Sequence, residues 1–93
     1  MDLKTRWSPL AVLIEHAADI GDMEIWVFGS MLVHDDPADL DVAVIYDDRA
    51  KVTELRGRAY WELESPPVDI LCLTHDEDSD LGFLSGAGAR RLA

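Results

Sequence analysis

The chain has 93 residues, enough for one domain around a single modest core. Nineteen acidic against eight basic residues leave a formal net charge of -11, a balance that argues against a surface built to neutralise nucleic-acid phosphates. Apolar residues make up 48% of the sequence, the composition of a globular chain rather than a disordered one, and no apolar run approaches the ~20 residues of a membrane span.

Met1 to Arg6 carries two basic residues but no signal-peptide core behind them. The single Cys72 stands in an apolar run and has no internal disulfide partner. A cytoplasmic protein is expected from both, with residues 1–93 forming one domain. Ser8-Pro9 followed by Leu10, Leu13, Ile14, Ala17 and Ile20 predicts an amphipathic helix with Ser8 as N-cap and Gly21 as its stop. His16 falls on the flank of that stripe and reads as a surface residue. Glu24 to Phe28 reads as a short buried strand stopped by Gly29. Met31 to His34 reads as a short helix with Ser30 near its N-cap. A strand over Asp39 to Tyr46 follows, then a helix over residues 47–64 with Val52, Leu55, Ala59 and Leu63 at helical spacing. Gly57 interrupts its propensity, and Tyr60-Trp61 is expected to pack on the sheet.

After the breaker Ser65-Pro66-Pro67, Val68 to Leu73 reads as a third strand. His75 beside Asp76 reads as a turn at its end rather than a metal pair. Asp76-Glu77-Asp78 opens a last short helix carrying Leu81, Phe83 and Leu84; Gly86-Ala87-Gly88 marks a loop, and Arg90-Arg91 is expected to fray. The predicted fold is α/β (α+β), in the order α-β-α-β-α-β-α, with a small three-stranded mixed sheet flanked by helices. The short link between the first two strands favours an antiparallel pair, and the long helix before the third favours a parallel crossover. So small a sheet can leave a face poorly covered and open to a partner.

Asp39 and Asp41 are the chemically unusual pair. Side chains at i and i+2 of a strand leave the same face, so two carboxylates project together from the start of an apolar strand. Their repulsion is relieved by a divalent cation such as Mg²⁺, which prefers hard oxygen ligands. Asp at a strand start also caps turns, so the pair alone is weak evidence. Asp69 is the only charged residue within its strand; it either completes a cluster of three carboxylates or sits at an exposed strand start. Gly29-Ser30 suits a phosphate cradle, because glycine lets the backbone approach closely and amides and hydroxyl donate. The same two residues also suit an ordinary strand-to-helix turn.

Phe28-Gly29-Ser30, Asp39-Leu40-Asp41-Val42 and the later Asp69, in this order across roughly residues 10 to 75, resemble the nucleotidyltransferase superfamily of DNA polymerase beta type, and most closely its minimal single-domain members. The resemblance implies transfer of a nucleoside monophosphate, AMP foremost, from a nucleoside triphosphate such as ATP to a protein or small-molecule hydroxyl, with release of pyrophosphate. It implies that Asp39, Asp41 and Asp69 bind two Mg²⁺ ions, that Asp69 also helps deprotonate the acceptor, and that Gly29 and Ser30 hold the triphosphate. Minimal members often pair with a small helical toxin of the HEPN class, and some act as antitoxins by attaching AMP to a toxin tyrosine.

Two features of this chain depart from the family pattern. Met31-Leu32-Val33-His34 stands where minimal members carry a basic residue and a further glycine, and no Lys or Arg occurs from Trp7 to Asp48. The missing basic residue after Ser30 and the strong negative charge support a competing reading, a catalytically weak or inactive protein of this fold that neutralises a partner by contact. Under either reading the charge favours a basic protein partner over nucleic acid.

Overall fold

The computed structural model describes residues 6–33, 36–58 and 67–93. His34 and the expected packing of Ala59, Tyr60, Trp61 and Leu63 lie outside these residues. Helix α1 (Ser8–Ile20) starts one residue before the expected point. Trp7, in extended backbone, holds the N-cap position, and Ser8 lies in the first turn with Pro9 instead of capping it. Gly21 stops the helix, its N–H donating to the Ala17 carbonyl at 2.8 Å.

Strand β1 (Met23–Phe28) runs antiparallel to β2 (Leu40–Tyr46), with Met23 opposite Tyr46 and Phe28 opposite Asp41. Between them Gly29–Leu32 forms a 3₁₀ turn. It begins at Gly29 rather than after Ser30, and no side chain caps it. Helix α2 (Arg49–Arg58) makes the crossover to β3 (Val68–Thr74), which lies parallel to β2 with Leu40 beside Val68 and Asp41 beside Asp69. The antiparallel first pair and the parallel second are those the loop lengths favour.

Thr74 then caps α3 (His75–Leu81). Its hydroxyl accepts the Glu77 amide at 3.1 Å and the Glu77 carboxylate accepts the Thr74 amide at 2.9 Å, a reciprocal pair that satisfies two orphan donors. The cap is thus Thr74 rather than the acidic run after it. After Gly82, α4 (Phe83–Gly86) leads to β4 (Arg90–Arg91), which pairs antiparallel with Trp26 and Val27 of β1.

The sheet therefore has four strands, in the order β3-β2-β1-β4, and not three. Arg90-Arg91 does not fray. The chain end is held by backbone bonds, Ile25 N–H to Ala93 at 2.9 Å and Leu92 N–H to Ile25 at 2.8 Å, and Leu92 packs against the core. An outermost strand tolerates charged side chains, which discourage further pairing.

Alternation along the strands separates two faces. On one, Ile25 and Val27 of β1 and Leu40, Val42, Val44 and Tyr46 of β2 pack against Leu10, Leu13 and Ala17 of α1 and Val52 and Leu55 of α2, forming the core. The helices are tied by Arg58, whose guanidinium meets Asp19 at 2.9 Å and His16 Nδ1 at 3.0 Å. His16 is half-buried by this contact and is not the plain surface residue expected. The other face carries Asp41, Ala43 and Ile45 of β2, Trp26 and Phe28 of β1 and Asp69 and Leu71 of β3. It is covered in part by α4, where Phe83 meets Phe28 edge-on with ring centroids 5.1 Å apart.

Candidate active site

The half-covered face is where the acidic residues meet. Register alone places Asp41 and Asp69 side by side on adjacent parallel strands, at the ~4.8 Å spacing of neighbouring strands. Asp39 is exposed just before β2 begins. Burial holds the Asp41 carboxyl above its usual range, and the negative charges of Asp69 and Asp39 push it the same way. No described basic group counters them. Asp41 is thus the carboxyl on which the effect of its two acidic neighbours falls.

Gly29 closes the site from the β1 side. Its φ is +81°, and a Cβ built on it would overlap the Asp41 carboxylate, lying 3.1 Å from Cγ and 3.3 Å from Cβ. Glycine is required here on two counts: the left-handed backbone, and the space the Asp41 side chain fills. The sequence offered Gly29 as a cradle for phosphate; the structure shows its open side already turned to a carboxylate. Ser30 is exposed beside it, and its carbonyl accepts the Val33 amide at 3.1 Å.

Gly29, Asp41 and Asp69 are brought together, with Asp39 at the rim. Among the described residues, no three His, Cys, Asp or Glu side chains stand close enough as placed to hold a metal ion. Carboxylate oxygens are nevertheless the ligands a hard divalent cation prefers, and a cation beside Asp41 would offset the charge of Asp69 and Asp39 that bears on it.

A second polar cluster lies at the opposite end of the sheet. His75, first residue of α3, is hydrogen-bonded through Nε2 to Glu24 and through Nδ1 to Asp47, both at 2.8 Å. These bonds, that to Glu24 foremost, raise its pKa. Lys51 pairs with Asp22, and Arg91 reaches Glu24 at 3.6 Å. The group borders a cleft of about 410 Å³. His75, expected in a turn at the strand end, opens α3 instead, and nothing in the sequence pointed to its partners Glu24 and Asp47. Parallel β3 and antiparallel β1 bring their residues to the end of β2, and only strand pairing reveals that.

Comparison with protein-family models, with curated proteins and with solved structures gives no match.

Proposed function

We propose that this chain is a minimal nucleotidyltransferase, moving a nucleoside monophosphate from a nucleoside triphosphate to a hydroxyl of a partner protein. The observation that carries the reading is Asp41, pressed against Gly29 and in register with Asp69, its ionised form disfavoured by burial first and then by the charges of Asp69 and Asp39. A cation-dependent phosphoryl site has a use for carboxylates held together in this way, and that use supports the reading.

In this reading Asp39, Asp41 and Asp69 would hold the Mg²⁺ ions that the transfer needs, and those ions, when bound, would supply charge stabilisation to the phosphoryl oxygens. The chain's own groups do the positioning. Asp69 orients the acceptor hydroxyl and takes its proton as the oxygen attacks the α-phosphorus. The bond to the bridging oxygen breaks, and pyrophosphate leaves with the electron pair. Ser30, exposed beside Gly29, would donate its hydroxyl to the triphosphate tail. Positioning and electrostatics supply most of the acceleration in such transfers.

The chain lacks a basic residue on the turn after Ser30, and its net charge is -11. Both favour an acceptor with a basic surface, such as a HEPN-type toxin for which this chain is the antitoxin. They also support a second reading, neutralisation of that partner by contact alone. The test is incubation with each α-labelled triphosphate and Mg²⁺, with and without the adjacent gene's product. Label fixed on protein supports transfer. Stoichiometric neutralisation with no label supports contact.

A further inference from the structure

The sheet face that bears Asp41 and Asp69 continues past Phe28 into a recess of about 380 Å³. Trp26 and Ile45 border it from β1 and β2, and Leu84, Ser85 and Ala89 from the segment after α3. Its polar rim includes Glu24, which is bonded to His75, and Asp78. Trp26 lies opposite Ala43, and Glu24 opposite Ile45. The recess is therefore two to four residues along β2 from Asp41, about 7–13 Å at the rise of a strand. A nucleoside whose α-phosphate sits at the carboxylates spans that distance.

We propose that this recess receives the base of the nucleotide, and that it selects bases bearing an exocyclic amino group. The inference rests on the transferase reading above and adds the substrate class. Its apolar border suits a planar ring, since aromatic stacking is tolerant of base identity. A rim carboxylate does the selecting. A carboxylate only accepts hydrogen bonds, so it welcomes an amino group.

The rim carboxylates are not equivalent. Glu24 is saturated: Oε1 accepts Trp26 Nε1–H at 3.0 Å and Oε2 engages His75 at 2.8 Å. These bonds hold the indole against the sheet. Asp78 uses Oδ1 to accept the Leu84 amide at 2.9 Å, and among the described residues no donor reaches its other oxygen. Asp78 is the selecting group, and Leu84 the wall it positions. An amino group bonded to an ionised acceptor is lost at higher cost than one bonded to a neutral group.

The test compares ATP with ITP, and CTP with UTP, each pair differing by an amino group against a carbonyl. Affinities are measured with Mg²⁺ by titration calorimetry, with inorganic tripolyphosphate as the base-free probe. Wild type is expected to prefer ATP over ITP about tenfold, equivalent to ~1.4 kcal/mol. Asp78→Asn, which can still accept the Leu84 amide, narrows that preference to within about twofold. Ser85→Trp, at an exposed position, fills the mouth and weakens ATP tenfold or more without changing tripolyphosphate affinity. Equal affinity for ATP, ITP and tripolyphosphate overturns the recess and leaves the transferase reading standing. So does unaltered ATP binding by a folded Ser85→Trp. Failure of every triphosphate and of tripolyphosphate to bind overturns both.

Discussion

Gly29→Ala is the sharpest test of how the acidic site is built. Two separable costs arise. The residue sits at φ +81°, where a side chain costs about 1–3 kcal/mol. The new Cβ also meets the Asp41 carboxylate, with Cγ at 3.1 Å, and the side chain must swing away toward Asp69. The total is a loss of about 2–4 kcal/mol, which in a domain of this size lowers Tm by roughly 10–25 °C. The assay is a double-mutant cycle by urea unfolding in EDTA. In an Asp41→Ala background the carboxylate is gone, so only the backbone cost and a 3.3 Å Cβ–Cβ contact remain. The two substitutions should couple by about 1 kcal/mol, the double mutant being more stable than the sum predicts. Additive effects would refute the packing of Gly29 against Asp41, and with it the reason for glycine at this position.

Three further outcomes are expected. In EDTA, Asp41→Asn stabilises the protein at neutral pH; because the folded carboxyl titrates above its unfolded value, wild-type stability falls as pH rises through the folded pKa, and the variant loses that slope. With Mn²⁺ or Mg²⁺ at 100 times its dissociation constant, thermal melts gain about 2.7 kcal/mol over EDTA; no shift at millimolar metal removes the metal site of the nucleotide-free protein. His75 titrates above its ordinary value because of Glu24 and Asp47, so its stabilisation is full below the unfolded pKa near 6.5 and is lost as pH rises through the raised folded value. His75→Gln should abolish that phase in pH-dependent melts, and a phase that persists would show that another group titrates.

How much of this was legible in the sequence depends on what each residue's signal is. The i, i+2 spacing of Asp39 and Asp41 predicts a common face only if both lie in the strand, and the strand begins at Leu40, one residue after Asp39. The long helix before Val68 fixed a parallel crossover and so brought Asp69 beside Asp41. Gly29 was recognised as a turn, but its contact with Asp41 arises from antiparallel register, which no local pattern encodes. Arg90-Arg91 read as a frayed end because the anchor is Leu92 and a run of backbone bonds to Ile25. Glu24, Asp47 and His75 are far apart in sequence and meet only because three strands end together. Trp26 gave no sign of bordering a recess, since that depends on where α4 returns over the sheet.

The central claim is that the carboxylates of Asp39, Asp41 and Asp69 move a nucleotide. The most direct measurement is pyrophosphate release together with intact-protein mass of the partner, using wild type and the Asp39→Ala/Asp41→Ala protein at equal concentration with ATP and Mg²⁺. The account predicts substoichiometric action by wild type, a nucleotide-sized mass added to the partner, and loss of both in the variant by more than the roughly 10- to 100-fold typical of groups that merely support a metal ligand, with circular dichroism and complex formation unchanged. Full neutralisation of the partner by the variant, with no added mass from either protein, would contradict it.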